Sequence, residues 1–235
     1  AMYRRRKPII LIGGISAPGS VTFITRSFVN SPILNEYFVF ITLDASRSRG
    51  LGKRAKLTAT NIAYGIRDYC RWLNLLIRYR PDIAHYPVTS WWNFPKSMLF
   101  LLTAKVFGCR TIGHLHGGAF DRFWNKLPKV CKLIGLTALN SLDGLIILTR
   151  RWRNLITESP KYKLFVLPDP IDKNFADQEF SRPFQAEEVT LLFVGAIGEG
   201  KGVPTLLQAM NRVVARSPNV HLILLGPEEH SGDYN

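Results

Sequence analysis

A chain of 235 residues with 46% hydrophobic content can bury a substantial core and sits between a one-domain and a two-domain length, so a globular protein is the starting point. Its 31 Lys and Arg against 17 Asp and Glu leave a formal charge of +14, which favours polyanionic surroundings: nucleic acid, phosphorylated substrates or an anionic membrane face. Three cysteines, Cys70, Cys109 and Cys131, with no CxxC spacing, support neither a disulfide framework nor a zinc site and fit a reducing cytosol.

At the amino terminus Tyr3-Arg4-Arg5-Arg6-Lys7 leads into an apolar run that ends at Gly13, too short for an export core, and reads as a basic lead-in to a buried strand over 8–12. The segment Gly13-Gly14-Ile15-Ser16-Ala17-Pro18-Gly19-Ser20 then precedes a helix over 21–29. A glycine-rich turn at a helix N-terminus offers unpaired N–H groups and the positive end of the helix dipole to a phosphate or carboxylate. GxGxxG is absent, which disfavours a dinucleotide reductase, and a plain strand-to-helix turn capped by Ser20 is the structural alternative. A strand over 37–42 follows, then a breaker-rich basic surface loop over 44–56, a helix over 58–79, a strand over 82–86 and a helix over 96–107. In that last helix Met98–Leu102 is flanked by Lys96 and Lys105 and falls far short of the ~20 apolar residues of a spanning helix, so no segment is expected to cross a membrane.

The strand over 111–115 ends in Gly113-His114-Leu115-His116-Gly117-Gly118-Ala119-Phe120. Ligands of open α/β sheets bind at the carboxyl ends of strands, and alternation puts His114 and His116 on one side of this one. A neutral imidazole there can donate to a sugar hydroxyl or phosphate, while Gly117 and Gly118 let a ligand approach the backbone. His116 is the stronger candidate; a satisfied histidine near the core is the structural alternative, and two histidines at i, i+2 make weak evidence for a metal. Helices over 125–141 and 149–157 and strands over 144–148 and 164–167 complete the alternation of short apolar runs with amphipathic segments, the pattern of a mostly parallel sheet covered on both faces.

Pro168-Asp169-Pro170-Ile171-Asp172 forms a rigid turn, and 173–188 reads as a polar linker. The chain therefore divides into a Rossmann-like domain over 1–172, that linker, and a second unit over 189–235. The second unit has a strand over 189–194, a glycine-rich loop over 195–202, a helix over 203–216 and a strand over 220–225. One β-α-β is shorter than a domain of roughly 50 residues or more, so this second Rossmann-like domain is expected to be incomplete. In its loop, Phe193-Val194-Gly195-Ala196-Ile197-Gly198-Glu199-Gly200-Lys201-Gly202, Lys201 stands just before a helix start, where an ammonium and exposed amides can neutralise a diphosphate. The spacing is not that of a Walker A loop, which disfavours ATP hydrolysis.

Taken together, His116-Gly117-Gly118 with Phe120, Leu145–Thr149, Leu167–Asp172 and Phe193–Gly202 resemble family 4 of the retaining glycosyltransferases, over nearly the whole chain. The resemblance implies an α/β fold of the GT-B type, a Rossmann-like parallel-sheet domain with a second one. It implies transfer of a sugar from a nucleotide-diphosphate sugar to a glycan or lipid-linked acceptor with retention, in cell-surface polysaccharide synthesis. The nucleotide sugar is then a co-substrate, with no cofactor and no metal. Gly19, Ser20, Gly195 and Lys201 would serve the donor and His116 the transferred sugar as the catalytic residue. Gly13, Gly14, Gly117 and Gly118 would lie on the acceptor side. The pattern departs from the family at Ala196, where many members have a diphosphate-clamping arginine, and at Asp169, where asparagine is common; the family's paired glutamates have no counterpart through Asn235.

Basic-aromatic surfaces form a further expectation. Phe123, Leu127, Val130, Cys131 and Ile134 on one helical face, and Arg67, Arg71, Arg78 and Arg80 around Trp72 and Leu75-Leu76, suit an anionic membrane surface, hence a cytoplasmic protein peripheral to the inner face. Ordinary surface helices are the alternative for both. Two other classes stand beside the enzyme: a non-catalytic sugar- or nucleotide-binding module, and a basic nucleic-acid-binding protein, for which no motif is present, so no nucleic-acid partner is expected.

Overall fold

The computed structural model describes residues 6–15, 19–45, 59–117, 120–153, 161–171 and 188–228, with Phe175 and Asp177 besides. They form two compact units, one of the described residues through Ile171 and one of those from Phe175 onward. Most of the basic loop over 44–56 and of the linker over 173–188, with Ser16–Pro18 and Gly118, lies outside the described residues.

In the first unit the apolar runs form β1 (Ile9–Ile15), β2 (Val39–Asp44), β3 (Ile83–Val88), β4 (Arg110–Leu115), β5 (Gly144–Ile147) and β6 (Lys163–Val166). All pairings are parallel, in the order β2-β1-β3-β4-β5-β6. Between them run α1 (Ser20–Val29), α2 (Pro32–Tyr37), α3 (Ala59–Tyr79), α4 (Asn93–Val106), α5 (Phe120–Lys126) and α6 (Lys129–Asn140). The expected helix over 125–141 is two helices, because Pro128 lacks the N–H that would continue α5 and instead takes the N-cap of α6. Only a short 3-10 turn, Arg150–Trp152, is described where a helix over 149–157 was expected. The brief α2 had no periodic signal, but Ser31 caps it by accepting from the Leu34 N–H at 3.3 Å, with Pro32 opening its first turn.

Consecutive strand residues face opposite sides, and the two faces differ. Leu11, Leu43, Ala84, Tyr86, Leu115 and Leu145 point into the main core with Trp72 and Leu76 of α3 and Phe100 and Leu101 of α4. Trp72 is fully buried and its indole N–H donates to the Phe100 carbonyl at 3.0 Å, so it cannot belong to the exposed basic-aromatic surface expected on α3. Asp68, Trp72 and Leu76, four residues apart, form the inward stripe of that helix, and Arg67 is paired to Asp68 at 2.8 Å. The other face carries Ile12 under α1, whose Ile24 and Thr25 are buried.

Two carboxylates fasten the amino ends of the strands. Asp82 accepts the Ile9 N–H at 2.8 Å; Asp143 accepts from the Thr111 N–H at 2.8 Å, the Thr111 hydroxyl at 3.0 Å and Lys105 at 3.1 Å. Burial alone would raise the Asp143 carboxyl, but those donors outweigh it and hold it below its ordinary value.

The second unit pairs β7 (Val189–Val194) with β8 (Val220–Leu225) in parallel, bridged by α7 (Val203–Val214). Its helix buries Val203 and Met210, yet Leu192, Val194 and Leu225 remain 61%, 68% and 58% exposed. Gly226 (φ +156) lies so close to Gly195 that a Cβ would sit inside the Gly195 carbonyl oxygen, 1.8 Å away. The two strand ends meet there, with the Gly195 N–H donating to Leu225 at 2.9 Å.

Gly13 and Gly14 belong to β1, not to the turn after it. A Cβ on Gly13 would lie 2.4 Å from the Tyr86 ring, which is locked against Trp72 and Phe100. Gly13→Ala is therefore predicted to destabilise the first unit by about 1–3 kcal/mol of overpacking. Urea unfolding should show that loss and its partial recovery in a Tyr86→Leu background.

Candidate functional site

The strand order reverses direction between β1 and β3: the chain leaves β1 toward β2 on one side and builds β3 to β6 on the other. The carboxyl ends of β1 and β3 therefore flank a topological switch point, where open α/β sheets bind ligands. Gly19 and Ser20 follow β1 at that edge. Gly19, not Ser20, is the N-cap of α1, with no side-chain cap hydrogen bond and no acidic residue in the first turn. Ser20 is the first helical residue and is exposed, and a helix N-terminus carries the partial positive charge that suits an anion.

β4 supplies the next part. The His116 N–H donates to the Val88 carbonyl at 2.8 Å, extending the β3–β4 ladder by one residue before the chain turns. Gly117 makes that turn at φ +115, a conformation that a side chain strains, and a Cβ there would lie 3.7 Å from the Ser90 hydroxyl. Ser90 and His85 are the residues that sequence reasoning missed. His85 comes two residues before Pro87, the register partner of His114.

His85, His114 and His116 form one stack on the α1 side of the sheet. Ring centroids are 5.4 Å apart for His85–His114 and 4.0 Å for His114–His116, and Phe28 of α1 covers the first two at 5.7 and 6.0 Å. Neither nitrogen of His85 or His114 has a hydrogen-bond partner among the described residues. His85 also borders an apolar cavity of about 140 Å³ beside Ile12, Phe28 and Ile112. Burial lowers all three imidazoles, His85 to about 3, His114 to about 2 and His116 to about 4, and proximity of the rings lowers the first two further. His116 is neutral at physiological pH and can donate or accept a hydrogen bond. No group of three metal-ligating side chains is placed to hold an ion among the described residues.

In the second unit, Gly195 ends β7, a 3-10 turn over Glu199–Lys201 follows, and Gly202 (φ +74) is the N-cap of α7. Lys201 is exposed one residue before that cap, and Pro204 sits in the first helical turn. The loop and α7 thus repeat the motif of a glycine turn entering a helix N-terminus.

With this geometry, the chain is similar to solved glycosyltransferase structures. Sucrose-phosphate synthase from Thermosynechococcus elongatus matches with a TM-score of 0.62 at 13% identity, over 98% of this chain and 65% of that one. The E. coli structure titled as trehalose-6-phosphate bound with UDP-2-fluoro glucose matches with a TM-score of 0.61 at 13% identity, over 97% of this chain and 66% of that one. An α,α-trehalose-phosphate synthase (UDP-forming) from Burkholderia xenovorans, in complex with glucose-6-phosphate, matches with a TM-score of 0.60 at 12% identity, over 95% and 66%. The chain spans about two thirds of the length of these structures. No protein-family model and no curated protein sequence matches it. The fold is thus the α/β, Rossmann-like fold of the GT-B type.

The histidine stack sets a pH dependence. Unfolded histidines protonate near 6.5 while the folded rings stay neutral to about 4 or below, so under pH 6.5 the unfolded state binds more protons. The stack's contribution is intact above that pH and is lost as pH falls toward 4, by up to about 4 kcal/mol per pH unit for three rings. Urea unfolding between pH 7 and 5 should show the slope, and His85→Phe should flatten it by about one third.

Proposed function

We propose that the chain is the donor- and acceptor-handling part of a glycosyltransferase that moves a sugar from a nucleotide-diphosphate sugar to a glycan or lipid-linked acceptor with retention, in cell-surface polysaccharide synthesis. The observation that carries this reading is the carboxyl edge of the six-stranded sheet. There a side-chain-uncapped helix N-terminus and a neutral His116 followed by a positive-φ glycine flank the switch point.

In this reading the α1 terminus at Gly19-Ser20 receives the donor's phosphates, whose leaving-group charge rises as the glycosidic bond to phosphate breaks. Within the second unit, Lys201 and the amides beyond Gly195 form a loop suited by itself to a phosphate. His116, uncharged, hydrogen-bonds the transferred sugar without competing for its phosphates, and Gly117 and Gly118 let the acceptor approach the backbone. Gly13 and Gly14 shape the acceptor side indirectly, by letting β1 close against Tyr86 and Pro87. Retention fits a front-face displacement in which the departing phosphate oxygen accepts the acceptor's proton, so the chain's work is positioning and charge stabilisation. A neighbouring structure bound to UDP-2-fluoro glucose supports the nucleotide-sugar donor, and one in complex with glucose-6-phosphate supports a sugar-containing acceptor.

Calorimetric titration of UDP, GDP and ADP against the chain tests the reading. One of them should bind saturably, and Lys201→Ala should weaken it by about 10- to 100-fold, the loss of one charge-assisted contact. Failure of all three to bind, alongside salt-sensitive binding of any oligonucleotide, would replace the transferase reading with a nucleic-acid-binding one.

A further inference from the structure

The helices α4, α5 and α6 leave an open apolar groove of about 840 Å³ between them, lined by Trp91, Trp92, Met98, Leu99, Phe123 and Ile134. Its depth comes from Gly135, where a Cβ would stand 3.1 Å from Trp124 and 3.3 Å from Phe94. Around it Trp92 is 63% exposed, Ile134 65%, Leu133 66% and Val130 69%. Large apolar side chains gathered at one mouth mark an interaction surface rather than scattered surface residues.

Trp91 sits at the lip of the groove. It adopts φ +58, a left-handed backbone that a bulky aromatic rarely takes. The turn is held by the Phe94 N–H donating to the Trp91 carbonyl at 3.0 Å and by Trp91 packing on Phe123 at 5.6 Å. The strained turn holds two indoles at the lip of the groove.

The segment that carries the groove is cationic. Between Trp91 and Asn140 the sequence has one acidic residue, Asp121, against Lys96, Lys105, Arg110, Arg122, Lys126, Lys129 and Lys132. Lys96 is turned toward Asp68, and Lys105 toward Asp143. Lys126 lies 5.8 Å over the Trp91 ring, and Lys129 and Lys132 follow on α6. An apolar mouth with indoles at its lip, an ammonium group over one of them and further lysines on α6 matches the layering of an anionic bilayer, apolar below and phosphate above. A second copy on the same patch would bring like-charged rims together.

We propose that this groove docks on an anionic phospholipid bilayer, with Trp91 and Trp92 at headgroup depth, Val130, Leu133 and Ile134 toward the acyl chains, and Lys126, Lys129 and Lys132 on lipid phosphates. The membrane face is thus α4–α6 and not the arginines of α3. Because Trp91 closely follows the carboxyl end of β3, and Ser90 lies beside Gly117, the docked surface opens next to the candidate site. Docking does not rest on the transferase reading, and vesicle binding is read without nucleotide or turnover.

The test is flotation of the chain, at low salt, with phosphatidylcholine vesicles made with and without phosphatidylglycerol. Binding is expected only to the anionic vesicles. Replacing Lys126, Lys129 and Lys132 by Gln should weaken it by about 100-fold, and Trp92→Ala by about 10-fold, while Arg212→Gln with Arg216→Gln changes it little. Circular dichroism checks each fold; Trp92 is exposed, so its variant carries the test should the triple variant misfold. Brominated acyl chains should quench tryptophan fluorescence less in Trp92→Phe. The proposal is overturned by absence of binding to anionic vesicles, or by binding that the Arg212/Arg216 pair weakens as much as the groove variants do. It is equally overturned by concentration-dependent self-association that Trp92→Ala abolishes, which would make the occupant a second copy.

Discussion

Parallel strands cannot be joined by tight turns, so β1, β2, β3 and β4 each hand the chain toward a helix at the carboxyl end before it returns to the amino end of a following strand. That constraint sorts the residues of the first unit. The amino edge is fastened by carboxylates whose oxygens are spent on backbone N–H groups: Asp82 on Ile9 and Asp143 on Thr111. The carboxyl edge carries a helix terminus with no side-chain cap among the described residues, a positive-φ glycine and an uncharged imidazole. Reversal of the strand order between β1 and β3 brings these features to one end of one sheet.

The two faces of that sheet solve burial differently. Toward α3 and α4 the aromatic set of Trp72, Tyr86 and Phe100 fills the space, and the one indole N–H in it is satisfied by a backbone carbonyl. Toward α1 the strands place histidines where the first face has apolar residues. Among the described residues His85 and His114 leave their ring nitrogens unpartnered, His85 beside a small cavity, a costly arrangement in a core. Beside them, burial holds the His116 imidazole well below its ordinary value, so the candidate site keeps a neutral hydrogen-bonding group.

Much of this was legible in the sequence because it is local. The strands lie within a few residues of the apolar runs that announce them. What was not legible depends on pairing across the chain. His85 joins His114 only through the β3–β4 register, and nothing near residue 85 signals it. Gly13 and Gly14 resemble part of a phosphate turn in sequence, but the Tyr86 ring and the backbone of Gly14 (φ +100) explain them as strand residues. Trp72 read as surface because arginines surround it in sequence, although the four-residue spacing of Asp68, Trp72 and Leu76 shows the buried stripe. The exposed lip at Trp91 had no local signal, since its backbone angle comes from the turn that β3 makes into α4.

The exposed strands of the second unit have a consequence for how the chain holds together. The first unit carries its own aromatic core, whereas β7 and β8 turn Leu192, Val194 and Leu225 outward and are joined most tightly where Gly195 meets Gly226. Cooperativity follows shared burial, so the chain contains segments of unequal resistance to opening, and β7–β8 belongs to the weaker class. Among the described residues the outer edges of β7 and β8 have no strand partner, and such edges are prone to capture another strand.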